Sequence, residues 1–395
     1  MIHLKPSNSA QAAVIARSRQ LTDYKWTPIR DIPIFIKSIG NTMLFASEQL
    51  TGFPYASEER NDKFVCENVS YESFLSAIPN PYSKLYQPGH AAFDACNYGI
   101  VCNGHVRYAL DIQRRVSTNR WLDIPGMRKI KECGDYTVDE IRLCDVLHSF
   151  GKGYNHVALI TDILLKDDGS VAEIEVSEAV RPCCKRVSYA VDDFYEKFKL
   201  FSLCRYEYLN DVAPLDEEQD TLLWHSGIEK ISPKIAVDNG NKSNYLKGDE
   251  VIISVFIDGS DTVEILREGV LVEEIRVDKR AVLVRILPGG YYTVRLKNDG
   301  AYTEFCVCSA ELAHSVEGNN ITVYVNCDDK ESEILYMDFR AQGKTSASLA
   351  KYEELTNEEK SSGIITRAIP SDGKNYKVYF KNKYGIWTQP MTKIR

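Results

Sequence analysis

Three residues far apart in this sequence have side chains suited to nucleophilic catalysis: Cys102, His156 and Glu178. A thiol attacks a carbonyl as its thiolate, and both a helix N-terminus and a nearby imidazole favour that form. The text after Cys102 has helical spacing, with Val106 and Leu110 on one face, so Cys102 is expected to open a helix. Its neighbours Asn103 and Gly104 are small or polar and would let another chain approach the sulfur. His156 follows the glycine-containing SFGKGYN and begins an apolar, β-branched run, a setting that should leave its ring accessible at a sheet end. Glu178 closes the next strand, where a carboxylate can accept the N–H of the far ring nitrogen and fix the tautomer. Strand alternation puts Glu175 and Ser177 on one face and Glu178 on the other, so Ser177 and Glu178 compete for this third role.

Other thiols and imidazoles make weaker sets. Cys96, Cys102 and His105 form a C-x5-C-x2-H cluster that lacks a fourth zinc ligand, and His105 on the same helix is expected at the rim of the site. Cys144 stands four residues before His148 without a further partner. Cys183-Cys184 and Cys306-x-Cys308 lack a second pair at zinc-ribbon spacing and fall in strand-like text, so both read as buried thiols. No metal and no cofactor is expected. G-x-S-x-G, the P-loop and H-E-x-x-H are all absent.

The elements that position these groups follow from pattern. NHVALITDILL, the turn KDDGS and AEIEVSEAV read as an antiparallel hairpin carrying His156 and Glu178. Helical and strand patterns mix up to about residue 225, whereas the text beyond Ile231 is short strands broken by DNG, DGS, PGG, NDG and SDGK. The acidic DVAPLDEEQD at 211–220 and DNGNKSN at 238–244 bracket a hinge placed near 226. EVIISVFI, DTVEILREG, AVLVRIL and YYTVRLKN form one set of strands, and NNITVYVN, SEILYMDFR, SGIITRAI and NYKVYFKN a second. Each set has the length and rhythm of an Ig-like sandwich. The expected domains are therefore 1–225, 226–310 and 311–395.

YGIVCNGHVRYAL, CDVLHSFGKGYNHVALITDIL and IEVSEA, in that order, resemble the NlpC/P60 and CHAP superfamily of cysteine peptidases and amidases. The resemblance covers roughly 30–208 and implies an α+β papain-like catalytic domain ahead of the two all-β Ig-like sandwiches. It assigns Cys102 as nucleophile, His156 as base and Glu178 as the third polar residue. TGFPYAS resembles the family's Gly-x-Pro-Tyr element, which assigns Tyr55 a place beside the nucleophile and makes the long stretch between Tyr55 and Cys102 an insertion bordering the cleft. Val180 stands where CHAP enzymes carry an orienting Asn. The implied substrate is a peptide, in particular a peptidoglycan stem peptide split at an amide bond, and the implied setting is secreted or cell-envelope.

The bulk of the chain suits this reading. Its 395 residues, 44% hydrophobic and 26% charged, are those of two or three globular domains. A net charge of -8 gives no general attraction to nucleic acid or anionic lipid. Eleven cysteines in so long a chain do not form the dense framework of a small disulfide-bonded domain. The opening MIHLKPSNSAQAAVIARSRQ has no uninterrupted apolar h-region, and no stretch is long enough to span a bilayer. Two rivals remain: a catalytically decayed protein that binds a wall or host partner through its sandwiches, and an intracellular acyltransferase or deamidase.

Overall fold

The computed structural model describes residues 1–36, 40–46, 48–56, 71–87, 97–112, 116–151, 155–209, 234–341 and 355–395. The chain is mostly β-sheet and divides into two compact units. The first comprises 1–26, 50–55 and 100–227, and the second 27–49, 56–99 and 228–395. The expected hinge at 226 falls within residues 210–233, which lie outside those described.

The first unit is built on a seven-stranded antiparallel sheet. Its main strands are β1 (Met127–Lys131), β2 (Val146–Ser149), β3 (His156–Leu165), β4 (Val171–Ala179), β5 (Cys184–Ala190) and β6 (Ser202–Tyr206). They lie in the order β5-β4-β3-β2-β6-β1, and the short strand Ile2–His3 adds to the far end of β3. The expected hairpin is β3-β4: Lys166 N–H bonds to Ser170 C=O at 2.8 Å, and Gly169 supplies the positive φ of 84° that the turn needs. β3 is buried along most of its length because helices cover both sides of the sheet.

On one side lie α1 (Ser9–Thr22) and α2 (Cys102–Leu110), packed on each other and on β3 to β5. Asn8 caps α1 by accepting from Gln11 N–H at 2.9 Å, and Arg17 Nε donates to Ala109 C=O at 2.7 Å, tying the two helices together. On the other side α3 (Val191–Phe198) lays Phe194 and Phe198 onto the sheet, and Phe198 meets Tyr189 of β5 edge-on at 5.5 Å. Phe194 and Phe198 are fully buried, a contribution of roughly 1.5–3 kcal/mol each.

The second unit takes in much of the stretch between Tyr55 and Cys102 that was expected to border the cleft. Residues around 71–87 are stitched to β7 (Ile235–Val237) and the turn after it. Asn80 Nδ2 donates to Val237 C=O, Ser83 Oγ and Lys84 N–H donate to Asp238 C=O, and Lys84 Nζ pairs with the buried Asp238 carboxylate at 3.2 Å.

Beyond β7 come β8 (Ser243–Leu246), β9 (Glu250–Arg267), β10 (Val270–Ile286), β11 (Gly290–Leu296) and β12 (Tyr302–Cys308). EVIISVFI and DTVEILREG, expected as separate strands, are two halves of β9 joined through an irregularity between Phe256 and Ser260. The β9-β10 hairpin bends sharply at that point. Arg285 makes a two-pronged ion pair with Glu273 at 2.7 and 2.9 Å, although both lie on β10 and a straight strand would part them by about 40 Å. The bend brings Val251, Ile253 and Val255 into one core with Val263, Ile265 and Val294, as in a β-sandwich.

A second core follows, formed by β13 (Ala310–Glu317), β14 (Asn320–Cys327) and β16 (Ile364–Ala368) in one sheet and β15 (Glu333–Ala341), β17 (Gly373–Asn382) and β18 (Gly385–Thr388) in another. The two cores share β12, whose Phe305 and Val307 face the first while Cys306 and Cys308 face the second. No helix among the described residues is long and apolar enough to cross a membrane.

Candidate active site

Cys102 is the first residue of α2, as its spacing suggested. Val101 at the N-cap has no side-chain acceptor, so the first-turn N–H groups are not capped in the usual way. Asn103 Oδ1 takes the Gly104 N–H at 3.0 Å, and the Asn103 N–H points to the Cys102 sulfur. Asn103 Nδ2 donates to Val116 C=O and holds that side chain in place.

His156 opens β3, in register with Ser149 of β2. Its Nε2 meets Glu178 Oε2 at 2.7 Å, and its ring hydrogen-bonds the Cys102 thiol. An imidazole has two nitrogens, so Glu178 on Nε2 leaves Nδ1 for the sulfur. The Phe201 ring stands edge-on to the imidazole at 6.2 Å and walls it from the side. The accessible ring expected from SFGKGYN is not found: His156 is 6% exposed and Cys102 8%. Packing against Phe201, Glu178 and α2 outweighs the openness that nearby glycines suggested.

The electrostatics follow from these contacts. Burial pushes the Cys102 thiol up, but the hydrogen bond and charge of His156, with the N–H groups of Val157 and Asn103, outweigh it and hold the thiol below its ordinary value. Burial likewise opposes the imidazolium, and the bonds to Cys102 and Glu178 reverse this, raising His156 to about 9. Glu178 is held below the usual carboxylate range because its bond to His156 and the charges of His156 and Lys185 exceed the cost of burial. These shifts favour a thiolate–imidazolium pair at neutral pH. Elsewhere burial dominates: Cys183 and Cys204 are pushed up to about 12, Cys327 to about 11, and Cys144, Cys184 and Cys308 also rise. Cys102 is the one described thiol displaced downward.

The competition between Ser177 and Glu178 resolves by face. Ser177 turns toward the helices, where its Oγ accepts from Ser18 Oγ at 2.6 Å and lies 3.2 Å from His105 Nε2. Glu178, one residue on, points to the other face and takes His156. His105, expected at the rim, is fully buried, and burial lowers its pKa to about 4, so it stays neutral. Its helix position three residues after Cys102 turns it inward between Ser18 and Ser177. Cys96, grouped with it by spacing, lies outside the described residues. His148 is held by Thr118 C=O at 2.7 Å, apart from Cys144, whose sulfur meets Gln11 C=O.

Tyr55 lies on a segment bonded to the chain just before Cys102. Its N–H bonds to Pro182 C=O at 2.8 Å, Pro54 C=O accepts from Ile100 N–H at 2.9 Å, and the Arg181 guanidinium sits 5.2 Å from its ring. Gly52 fits this passage because a Cβ there would meet Cys184 C=O at 1.9 Å. Lys185 was not anticipated. It pairs in register with Glu178 and places Nζ 3.7 Å from Oε1. The alternating KRVSY after Cys184 was the available signal, since a strand there must lie beside β4.

No family model matches the chain, and no curated protein matches it. Among solved structures it is similar to native alpha-2-macroglobulin from Escherichia coli spanning domains NIE-MG1, at 10% identity over 35% of this chain and 86% of that one, with a TM-score of 0.17. It is also similar to fibronectin(III)-like modules of Clostridium thermocellum CbhA, at 15% identity over 40% of this chain and 90% of that one, with a TM-score of 0.17. Scores this low carry no argument about the overall fold.

Proposed function

We propose that the chain is a cysteine amidase or peptidase whose first unit is a papain-like domain of the NlpC/P60 and CHAP kind, followed by two Ig-like sandwiches. One observation carries this reading: Cys102 at a helix N-terminus, His156 bonded to its sulfur, and Glu178 bonded to the far nitrogen at 2.7 Å. The Cys102 thiolate attacks an amide carbon, and a tetrahedral oxyanion forms. His156 gives its proton to the departing amine, leaving an acyl thioester on Cys102. Water then loses a proton to His156 as it attacks the thioester, and the carboxylic acid departs with the thiol restored. Glu178 stays ionised and fixes the ring. The Cys102 N–H is one oxyanion donor, and resemblance nominates the Tyr55 hydroxyl as the second. The substrate class, a peptidoglycan stem peptide, rests on the resemblance.

The test is iodoacetamide labelling at near-neutral pH, with turnover of muropeptides followed by mass spectrometry. Selective labelling of Cys102 and loss of both signals in Cys102→Ala are expected. Equal labelling of several cysteines, with turnover surviving that substitution, overturns the reading. Acyl transfer to an added amine in place of hydrolysis would move the chain to the acyltransferase class on the same residues.

A further inference from the structure

We propose that Cys306, Cys308 and Asp329 form a binding site for a thiophilic divalent cation, zinc by its ligand chemistry, which fastens the two cores of the second unit together. Both thiols project from one face of β12 with their sulfurs 3.1 Å apart, and the potential ligand atoms of all three residues lie within 4.8 Å of one another. The cysteines are fully buried and Asp329 is 4% exposed.

Two further observations point to a cation. A buried carboxylate is normally paired with a positive group or a metal, yet among the described residues Asp329 is held only by neutral donors. Tyr291 Oη (2.8 Å), Ser332 Oγ and Asn382 Nδ2 (3.5 Å) reach Oδ2, and Glu331 N–H (3.0 Å) reaches Oδ1. Such donors also orient ligating carboxylates in metal centres. The sulfurs are similarly supported, since Asn382 Nδ2 donates to Cys308 Sγ at 3.3 Å and to Asn244 Oδ1 at 2.9 Å. Asn244 Oδ1 lies 3.6 Å from that sulfur and supplies a fourth, carbonyl ligand.

Two thiolates, a carboxylate and a carbonyl are a donor set for tetrahedral zinc, not for calcium or magnesium, which take oxygen alone. With Zn–S near 2.3 Å, a tetrahedral angle asks for sulfurs about 3.7–3.8 Å apart, so the two thiols must part by several tenths of an ångström. A disulfide is the poorer outcome. β12 is paired on both sides, by β11 and β8, and regular strand geometry holds i and i+2 Cβ atoms farther apart than the ~3.8 Å a disulfide needs. The ligands come from β8, β12 and the loop after β14, with Tyr291 of β11 and Asn382 of β17 behind them, so one ion would tie both sandwiches. The spacing Cys306-x-Cys308 hid this because the third ligand is remote in sequence.

The experiment uses the full reduced chain carrying Cys102→Ala, which removes the other candidate thiolate. Titration with Co²⁺ alone should produce a thiolate-to-cobalt charge-transfer band and the visible bands of a four-coordinate ion. Saturation at one ion per chain and displacement by Zn²⁺ are expected. The band should vanish in Cys306→Ser/Cys308→Ser, and Asp329→Asn should weaken binding about ten-fold or more while far-ultraviolet circular dichroism stays unchanged. Absence of the band in the parent chain, its persistence in the double variant, or a Cys306–Cys308 disulfide found by mass spectrometry in the untreated protein would overturn the proposal.

Discussion

Cys102 in the first unit and Cys308 in the second are both buried, yet their thiols are displaced in opposite directions. Burial acts on both to disfavour the thiolate. Cys102 escapes because an imidazole and two backbone N–H groups meet its sulfur, whereas Cys308 has the Cys306 thiol beside it and the Asp329 carboxylate nearby. The direction in which each thiol is displaced is thus set by what touches the sulfur, and burial makes each contact count more by excluding water.

The strongest way to break this contrast is to remove the sulfur. Cys102→Ala should lower kcat/KM by on the order of 10⁶-fold and abolish fast alkylation, while Cys306→Ser/Cys308→Ser leaves both intact. Loss confined to the Cys306→Ser/Cys308→Ser chain, with Cys102→Ala fully active, would mean that the second cluster, and not Cys102, does the chemistry. His156→Ala comes next. Without general acid–base transfer the rate should fall roughly 10²–10⁴-fold, and the alkylation profile of Cys102 should move to higher pH, because the hydrogen bond and charge that oppose burial are gone. An unmoved alkylation profile would show that the N–H groups of Val157 and Asn103 suffice.

Much of the site is legible in the sequence. Cys102 at a helix start, His156 at a strand start and Glu178 across a hairpin all follow from local pattern, since helical spacing, β-branched runs and an acidic-glycine turn are written in neighbouring residues. The packing around them was not. His105 looked like a rim residue because spacing gives an angle around a helix but not what covers that angle. Val157 N–H is a backbone group that any residue there except proline could offer, so no residue type announces it. The shared strand β12 and the folded β9-β10 hairpin escaped for the same reason. Turn signals such as IDGS mark a break in pairing, and whether the break becomes a loop or a bend depends on the sheet it meets.

Glu178→Gln sharpens the contrast by keeping shape and removing charge. Losing a charge-assisted hydrogen bond of about 1.5–3 kcal/mol should reduce kcat/KM roughly ten- to hundred-fold. The pH profile carries the sign. The proposed mechanism needs thiolate and imidazolium together, so kcat/KM should fall on the alkaline side as pH passes about 9, the raised value of His156. Glu178 is among the causes of that rise, so the alkaline limb of Glu178→Gln should shift to lower pH. Stability follows the same linkage. His156 is raised from 6.5, so its contribution is present in full below 6.5 and is lost as pH climbs through about 9. Glu178 is lowered from 4.5, so its contribution is present above 4.5 and is lost as pH falls below it. A limb that stays fixed in Glu178→Gln would remove Glu178 from the support of the His156 imidazolium.

Ser177→Ala is the smallest change and tests whether adjacent residues on one strand serve separate ends. Ser177 bonds Ser18 and faces His105, on the side of the sheet away from Glu178. Its loss removes a buried hydrogen bond and should cost about 1 kcal/mol of stability, read as a lower urea midpoint with an unchanged m-value. The alkaline limb should not move, because Ser177 touches neither His156 nor Cys102 in the bonds that raise and lower them. A shifted limb with unchanged stability would reverse the roles of Ser177 and Glu178, and with them the claim that alternation along β4 turns Glu178 to His156 and Ser177 to α1 and α2.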